Sequence, residues 1–419
     1  MKNSLRKDTI YDVAIIGAGP AGASLAYFLS GSCLKVVLIE RKKVADVPVR
    51  CAELVPKAIT QLYDGKIAGI NNEVNYMETY IEGKLANTIK SPGFIMDRNI
   101  FVDFLIKEFV RKGGTYLNWS SFLNTEYPNC QNRNKKDRLN RNSKNQYGGI
   151  GFIDNYVLNL SIHCENKEEA ASFKAKILVG ADGPNSRVLK IMNSFFNAAG
   201  ESGNSSHNEI HREIQSSGSY IMAFQENLAK QMDYRDKTKI FFYPYLTCGY
   251  GWLFPKKSSL NVGIAISKEA VKSNGLKNIY LRFKDELIKN RFINGSEKQN
   301  SVIAGLAPVS GISQELVKNN IMLIGDAAGL CNPITGAGNF NAAVSAKIAS
   351  KYIKEASSSG NPEILKEAGR EIINFFNFSL SHARSKRNIL EKKWANDDFE
   401  SLIRKSWVSF KDYWQRVKS

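Results

Sequence analysis

The sequence predicts a mixed α/β fold: a parallel sheet between helices, an inserted antiparallel sheet and a helical C-terminal region. Residues 11–16 and 34–40 are β-branched runs separated by a helix-like segment of small residues, the pattern of one β-α-β unit. Residues 239–267 form a block of strand-like runs broken by turns. From about residue 362 onward the chain has a helical, aromatic and basic pattern.

The composition is globular, and its unusual feature is charge. The 419 residues are 43% hydrophobic and 23% charged, which excludes a disordered, collagenous or coiled-coil chain. This length suggests two or three structural units of roughly 100–200 residues each. Lys and Arg number 58 against 40 Asp and Glu, a formal charge of +18. Such a charge favours an anionic partner: nucleic acid, a phospholipid surface or a phosphorylated substrate.

The termini and the cysteines indicate neither export nor a metal centre. The apolar stretch 13–29 is interrupted by glycines at motif spacing, so a strand and a turn explain it better than a signal peptide. The six cysteines include no C-x-x-C pair and are typical of reduced thiols in a cytoplasmic protein. His207 and His211 have no third ligand nearby in the sequence, and we predict no metal site.

A glycine motif lies between the first predicted strand and the helix that follows. Gly17, Gly19 and Gly22 have G-x-G-x-x-G spacing, which allows a tight turn, close approach of backbone N–H groups to a pyrophosphate, and close packing of the helix. Glu40 ends the second strand, where a carboxylate can bind ribose hydroxyls. Together these features predict a dinucleotide site.

Two further motifs each follow a predicted strand. Residues 180–187 read GADGPNSR and residues 325–338 read GDAAGLCNPITGAG. Asp326 can accept hydrogen bonds from a polyol such as a ribityl chain, and Gly336 and Gly338 allow the backbone to approach a flavin ring. A helix that begins near Gly338 would direct its positive end at that ring.

The order of these three motifs, over roughly residues 11–350, resembles the flavoprotein hydroxylase superfamily. Further residues resemble its geranylgeranyl reductase family. Arg50-Cys51-Ala52-Glu53 lies where those reductases place a cysteine close to the flavin. Residues 250–255 (YGWLFP) match their Y-x-W-x-F-P motif, and Asn-Val-Gly follows at 261–263.

The resemblance implies a Rossmann-like FAD-binding domain with an inserted antiparallel-sheet substrate domain and a helical C-terminal region. Expected boundaries are 8–70, 96–190 and 300–350 for the FAD-binding domain, 71–95 and 205–299 for the substrate domain, and 351–419 for the C-terminal region.

The resemblance also implies which residues contact FAD. Cys51 is the one candidate catalytic residue, because of its expected place near the flavin. The expected cofactor contacts, besides the three fingerprint glycines, are Glu40, Arg41, Cys51, Ala52, Arg98, Asp326, Gly336, Gly338 and Asn339.

Three aromatic residues alternate along one predicted strand. Tyr250, Trp252 and Phe254 project on one face, which suits either an ordinary core or the wall of a long apolar pocket. The resemblance favours the second interpretation, a substrate-binding tunnel for an isoprenoid chain.

The activity that the resemblance implies is the saturation of C=C double bonds in a polyprenyl, geranylgeranyl-type lipid by hydride transfer from reduced FAD. NAD(P)H or reduced ferredoxin, the latter a redox partner protein, would supply the electrons. One alternative is an FAD-dependent monooxygenase of a hydrophobic substrate. A second is a non-enzymatic, basic membrane-binding protein.

Much of the positive charge lies in residues 131–145 and 384–419. We interpret 131–145 as a solvated inserted loop and 194–218 as a second polar insertion; neither carries a base-stacking motif, so we predict no nucleic-acid partner. Basic, aromatic helices lie well on anionic bilayers, which predicts a peripheral location on the inner face of the cell membrane. Packing of the same aromatic residues on the core is the alternative. They are Trp394, Trp407, Phe410, Tyr413 and Trp414.

Overall fold

The computed structural model describes residues 9–126, 157–164, 170–198, 220–229, 234, 236–296, 299–395 and 398–415. The predicted loop 131–145, His207, His211 and most of the predicted insertion 194–218 lie outside these ranges. The described residues contain two eight-stranded sheets with helices packed against them.

The strands of the first sheet are β1 (Ile10–Ile16), β2 (Val36–Ile39), β6 (Thr115–Leu117), β7 (Ser120–Glu126), β8 (Leu158–Cys164), β9 (Ala171–Gly180), β15 (Val317–Lys318) and β16 (Ile321–Leu323). Those of the second sheet are β3 (Leu54–Pro56), β4 (Ile70–Ile81), β5 (Lys84–Met96), β10 (Tyr220–Ala229), β11 (Lys237–Phe242), β12 (Tyr250–Pro255), β13 (Ser259–Ser267) and β14 (Gln299–Pro308).

The α-helices are α1 (Pro20–Leu29), α2 (Ile59–Leu62), α3 (Arg98–Arg111), α4 (Arg187–Ala198), α5 (Lys268–Asn274), α6 (Leu276–Lys289), α7 (Asn339–Ser359), α8 (Leu365–Lys393) and α9 (Phe399–Ser406). Short 3-10 helices span Gly325–Ala328, Pro362–Ile364 and Lys411–Trp414.

The first sheet confirms the predicted α/β class. Its strand order is β15-β16-β9-β1-β2-β6, and every neighbouring pair from β16 to β6 is parallel. Helices cover both faces of such a sheet, and its central strands are accordingly apolar along their whole length. Val13, Ala14 and Ile15 of β1 are completely buried. The carboxyl ends of β1, β2 and β16 therefore lie at one edge of the sheet, as binding of a dinucleotide requires.

The second sheet is assembled from two distant stretches of chain, with the order β14-β10-β13-β12-β11-β4-β5-β3. It is antiparallel except where β11 lies parallel to β4. The expected boundaries place β3 and β14 in the FAD-binding domain, whereas both strands pair within the second sheet. β14 pairs along its length with β10, and β3 pairs with β5, because these edge strands complete the hydrogen bonding of the inserted sheet.

A buried charge cluster joins β4 to β11. Glu78 of β4 accepts hydrogen bonds from the ammonium groups of Lys237 and Lys239 and from the hydroxyl of Tyr80. The carboxylate is thus paired at the only parallel junction among the described strands of the second sheet.

The N-terminal half of α8 packs with α7 in the core of the first sheet, whereas the C-terminal half of α8 and helix α9 pack against the second sheet. Trp407, Phe410 and Tyr413 are buried there, as the core-packing alternative predicts, whereas Trp414 is exposed. The indole of Trp394 is also anchored, because its Nε1 donates to the carbonyl of Pro244 at 2.9 Å. No helix among the described residues combines the length and the hydrophobicity needed to cross a bilayer.

Candidate functional site

In the turn between β1 and α1, glycine is present at positions 17, 19 and 22 for three different physical reasons. Gly17 has φ of +97°, and a Cβ there would lie 2.5 Å from the carbonyl oxygen of Ala181. A Cβ on Gly22 would lie 1.8 Å from the carbonyl oxygen of Gly17, so glycine is needed for α1 to pack on the turn. A Cβ on Gly19 would meet no described atom within 4 Å. The folded chain thus does not require glycine at position 19. A pyrophosphate that approaches the backbone closely does require it, so the turn fits a dinucleotide.

Glu40 lies beside this turn, directly after β2. Its carboxylate accepts hydrogen bonds from the backbone N–H groups of Ala18, at 2.8 Å, and Lys42, at 2.9 Å. These bonds hold the buried carboxylate against the turn and leave it lone pairs for ribose hydroxyls. Arg41 is exposed next to it.

Arg98, Cys51 and Asn339, three of the expected cofactor contacts, lie close together although they belong to three separate segments. Arg98 is the first residue of α3, and its Nη1 donates to Oδ1 of Asn339 at 3.4 Å. Sγ of Cys51 accepts from the backbone N–H of Glu53 at 3.2 Å and from Nδ2 of Asn339 at 3.4 Å. Two donors therefore converge on the sulfur. The neighbouring Ala52 is half-buried.

The acidic partner of Arg98 is not predicted from the sequence. Asp46 binds the guanidinium through two parallel bonds, each 2.7 Å long, to Nε and Nη2. Burial acts to lower the pKa of Arg98, but the interactions with Cys51 and with the carboxylate of Asp46 outweigh it and raise that pKa. Arg98 is thus held as a fixed cation at the edge of the site.

Lys256, which follows β12 of the second sheet, forms ion pairs with residues next to Arg98. Sequence patterns do not predict these ion pairs. The ammonium of Lys256 contacts a carboxylate oxygen of Glu53 at 2.5 Å and of Asp97 at 2.9 Å. Burial acts to lower the pKa of Lys256, and the two carboxylates raise it. Glu53 also accepts from the backbone N–H of Arg98 at 2.8 Å, so α3 is tied to the lysine through this carboxylate. Asp97 precedes α3, but its side chain does not cap the helix, because its carboxylate accepts hydrogen bonds from Lys256 and Asn71.

Asp326 lies in the 3-10 turn after β16 and faces the backbone that leads into α7. Its Oδ1 would lie 2.9 Å from a Cβ on Gly338, the residue that precedes α7. Burial raises the pKa of Asp326, and the nearby Arg98 opposes this shift. Gly336 has φ of +66°, and a Cβ there would lie 4.0 Å from the hydroxyl of Tyr250. Asp326, Gly336 and Gly338 therefore form one continuous surface with the start of α7.

The middle motif has a structural role in the described residues. The carboxylate of Asp182 accepts from the hydroxyl of Ser186 at 2.6 Å and from the backbone N–H groups of Arg187 and Val188 at 2.7 and 3.3 Å. These bonds cap the start of α4. The backbone of the preceding Ala181 packs directly against Gly17, so this motif also stabilises the glycine turn.

The aromatic strand β12 is divided between a pocket and the core. Trp252 and Phe254 are buried in the apolar cluster of the second sheet, and Nε1 of Trp252 donates to Oδ1 of Asn261 at 2.7 Å. Tyr250 instead lines a small cavity of about 10 Å³, roughly the space of one water molecule. Its hydroxyl donates to the carbonyl of Thr335, one residue before Gly336. Burial raises the pKa of Tyr250, which remains a phenol at neutral pH.

This cavity, which we call the Tyr250 pocket, lies between β11, β12 and the C-terminal helices. The ring of Trp407 closes it. The centroid of this ring lies 5.0 Å from the ring centroid of Tyr250 and 5.1 Å from the ring centroid of Phe242. Its walls are almost entirely apolar. The lining residues are Phe242, Cys248, Gly249, Tyr250, Ile334, Leu390, Ile403, Ser406 and Trp407.

Among the residues that the structure describes, no group of three or more His, Cys, Asp and Glu side chains is placed to hold a metal ion.

Comparisons with known proteins agree with the geometry of this site. The sequence profile of an FAD binding domain family matches residues 10–95, which include the glycine turn, Glu40 and Cys51. The digeranylgeranylglycerophospholipid reductase of Methanococcus vannielii is 27% identical over 341 residues, which cover 78% of this chain and 73% of that protein. The reductase of the same name from Methanocaldococcus jannaschii is 26% identical and covers 94% of this chain and 90% of its own length.

Solved structures show the same fold. A geranylgeranyl bacteriochlorophyll reductase-like protein from Thermoplasma acidophilum superposes with a TM-score of 0.70 at 24% identity, over 95% of this chain and 90% of that one. PqsL from Pseudomonas aeruginosa, a probable FAD-dependent monooxygenase, has a TM-score of 0.65 at 14% identity, over 94% of this chain and 100% of that one. Together with the glycine turn, the matched FAD binding domain and the sequence relatives show that this chain is an FAD-dependent oxidoreductase similar to geranylgeranyl reductases.

Proposed function

We propose that this enzyme saturates carbon–carbon double bonds of a polyprenyl lipid. The observation that carries the proposal is that an apolar pocket and the turn expected to face the flavin share one residue, Tyr250. The phenol ring forms a wall of the pocket, and its hydroxyl is bonded to Thr335, next to Gly336. The names of the curated relatives, which are reductases of a geranylgeranyl lipid, support the same substrate class.

The residues of this chain perform three tasks in the proposed reaction. FAD, when bound and reduced, supplies a hydride to an alkene carbon. The apolar residues that line the small Tyr250 pocket offer the alkene a water-free surface beside the turn at Gly336. The N-terminus of α7, at Asn339, directs backbone N–H groups and the positive end of its dipole toward the flavin site, which favours the negative charge of the reduced cofactor.

The electron donor and the role of Cys51 are part of the same proposal. NAD(P)H or reduced ferredoxin remains the proposed source of electrons. Cys51 receives two hydrogen bonds at its sulfur and lies in the field of Arg98, which supports a place beside the flavin.

Mass spectrometry of an anaerobic reaction tests the function. The FAD-loaded enzyme is incubated with dithionite and a geranylgeranyl glycerol ether, and a gain of two mass units per double bond is expected. An oxygen-dependent gain of one oxygen atom would instead identify a monooxygenase and overturn the proposal. Ile403→Trp should fill the pocket and abolish the gain without loss of flavin, whereas Ile389→Trp on α8, outside the pocket lining, should retain it.

We also propose that one face of α8 rests on an anionic membrane. Phe375 and Phe378, one helical turn apart, are 59% and 81% exposed, and Trp414 is 63% exposed. Trp414 stacks on His382, one turn beyond Phe378, with ring planes only 5° apart. The exposed Lys411 precedes this tryptophan by three residues, and the formal charge of +18 complements anionic lipid.

Vesicle co-sedimentation tests this surface. The wild-type enzyme should bind vesicles that contain phosphatidylglycerol and lose this binding as salt is raised. The double variant Phe375→Ser/Phe378→Ser should bind about tenfold more weakly. Leu85→Ser removes an equally exposed apolar side chain from the second sheet and should bind as the wild type does. Equal binding of the wild type to neutral and anionic vesicles at all salt concentrations would contradict the proposal.

A further inference from the structure

Residues 46–53, which lie in the connection from β2 to β3, are bonded to Arg98 at both ends. The carboxylate of Asp46 accepts hydrogen bonds from Nε and Nη2 of Arg98, each at 2.7 Å. At the other end, Oε1 of Glu53 accepts from the backbone N–H of Arg98 at 2.8 Å. Cys51 lies between these two anchors. We call residues 46–53 the Cys51 segment, and its position depends on Arg98.

Both anchors of the Cys51 segment have a strained backbone conformation. Asp46 has φ of +56° and Glu53 has φ of +67°, in the left-handed region that residues other than glycine rarely adopt. Strained residues persist only where the surrounding contacts compensate, and they are concentrated at functional sites. The bonds to Arg98 are among these contacts. The strain therefore indicates that tertiary contacts, rather than local preference, hold the segment in place.

A relay of hydrogen bonds leads from Asp46 back to Cys51. Nη1 of Arg98 donates to Oδ1 of Asn339 at 3.4 Å, and Nδ2 of Asn339 donates to Sγ of Cys51 at 3.4 Å. The amide of Asn339 serves both neighbours in one orientation only, with its oxygen toward the cation and its nitrogen toward the sulfur. Alignment of Arg98 by Asp46 therefore also fixes the donor that Cys51 receives.

Asp46 also supplies the negative charge that balances Arg98. The side chain of Asp46 is 7% exposed and that of Arg98 is 13% exposed, so water screens neither charge well. The charge of Arg98 reaches Asp326, where it opposes the increase in pKa that burial causes. Asp326 belongs to the surface expected to face the flavin. Without Asp46, Arg98 would thus act on that surface as an uncompensated cation.

We propose that Asp46 is a positioning residue of the flavin site. It aligns Arg98, places the sulfur of Cys51 through Asn339, and offsets the positive charge that Arg98 directs at bound FAD. The inference rests on the proposed place of Arg98 and Cys51 beside the cofactor, and it does not depend on which substrate the reduced flavin acts on.

The charge of Asp46 should be measurable in the reduction of FAD. Uptake of two electrons and one proton converts FAD to its anionic reduced form, which a nearby positive charge favours. Asp46→Asn keeps the size of the side chain and its tolerance of positive φ, but it removes the charge. At a given potential, the ratio of reduced to oxidised flavin should rise about tenfold, which corresponds to about +30 mV for a two-electron couple.

A double-variant cycle tests whether Asp46 acts through Arg98. The midpoint potential of the FAD-loaded protein is measured in anaerobic equilibrium with a reference dye. Arg98→Gln should lower the potential. Adding Asp46→Asn to this variant should change the potential little, because a buried carboxylate without its cation takes up a proton. Asp12→Asn is the matched control: it alters the ion pair with Lys176 on the first sheet and should keep the wild-type potential.

Alkylation of Cys51 tests the positioning role. The oxidised, FAD-loaded protein is treated with iodoacetamide, and the modified peptide that contains Cys51 is quantified by mass spectrometry. Asp46→Asn and Asn339→Ala should each accelerate this alkylation about three- to tenfold, because each weakens the hydrogen bonding of the sulfur. Asn339→Ala leaves the buried ion pair intact, so it tests the relay also where Asp46→Asn does not retain flavin. Asp12→Asn should be alkylated at the wild-type rate.

Flavin absorbance and the melting temperature report whether each variant is folded. An unchanged potential in the flavin-loaded Asp46→Asn variant would overturn the inference. So would an equal shift by this substitution in the presence and absence of Arg98, since Asp46 would then act on the flavin without the arginine. An unchanged alkylation rate in the Asn339→Ala variant would overturn the relay to Cys51.

The outcome is separable from that of the proposed function, because neither measurement uses a lipid or turnover. The expected shifts in an enzyme that does not reduce a polyprenyl lipid would support the role of Asp46 and overturn the proposed activity. Reduction of the lipid together with an unchanged potential in Asp46→Asn would do the reverse.

Discussion

Replacement of Gly19 by alanine is expected to weaken FAD binding while the chain folds normally. A Cβ at this position meets no described atom within 4 Å, and the backbone, with φ of −74° and ψ of −172°, is in an extended conformation that alanine adopts freely. Such a replacement stabilises a fold by about 0.4–1 kcal/mol, because it restricts the unfolded chain. The added methyl group would instead occupy the space that the pyrophosphate requires.

Replacement of Gly22 by alanine is the matched contrast, one turn further along α1. Here the Cβ would lie 1.8 Å from the carbonyl oxygen of Gly17 and 3.3 Å from Cβ of Ala181. Helix and turn must separate by more than an ångström to relieve this overlap. Overpacking of this kind costs about 1–3 kcal/mol of unfolding free energy, even before FAD is added.

Urea denaturation of the FAD-free proteins and titration with FAD distinguish the two effects. The Gly19 variant should unfold at an equal or slightly higher urea concentration than the wild type. Its dissociation constant for FAD should rise roughly 10- to 100-fold, which corresponds to the loss of one hydrogen bond to a charged phosphate, about 1.5–3 kcal/mol. The Gly22 variant should unfold earlier in the absence of FAD.

Wild-type affinity of the Gly19 variant for FAD would refute the assignment of this turn to the pyrophosphate. Unchanged stability of the Gly22 variant would refute the close packing of α1 on the turn.

Two further predictions concern buried charges. Lys256→Met should lower the unfolding free energy by about 3–5 kcal/mol, because it leaves the carboxylates of Glu53 and Asp97 without their cation. Adding Glu53→Gln to this variant should recover part of the loss. Equal stability of the single and double variants in urea would contradict the pairing. Glu78→Gln should flatten the fall in stability below pH 4.5. Burial acts to raise the pKa of Glu78, but hydrogen bonds from groups including Lys239 lower it from 4.5 to about 2, so this carboxylate stabilises the fold above pH 4.5 and the contribution is lost as the pH falls toward 2. The difference in unfolding free energy between wild type and variant, measured by urea denaturation followed by circular dichroism, should therefore be constant above pH 4.5 and shrink as the pH falls toward 2.

Sequence patterns predict those parts of the site that depend on local conformation. The turn at Gly17 and Gly22, the position of Glu40 at a strand end and the helix after Gly338 each follow from a few adjacent residues and the known geometry of a β-α-β unit. For the same reason the α/β class and the extended aromatic strand are predicted correctly, because strand periodicity is a local property.

The ion pairs around the site could not be predicted in this way. Glu53 and Lys256 are 203 residues apart, and Asp46 and Arg98 are 52 apart, so only the tertiary fold brings each pair together. Aspartate before a helix commonly caps it, but Asp97 does not, because a lysine 159 residues away takes its carboxylate. Likewise, the amphipathic pattern of the C-terminal helices does not reveal that Trp407 closes a pocket on another sheet.

The dispersed origin of the proposed flavin site has a consequence for biosynthesis. Its three components, the turn at residue 17, Arg98 and the segment 326–339, leave the ribosome at widely separated times, and the whole second sheet is synthesised before the last of them. A nascent chain therefore cannot hold the cofactor until translation has passed α7, since β16 must first insert beside β9. Flavin incorporation thus reports completion of nearly the entire polypeptide, and prematurely terminated chains should accumulate without colour.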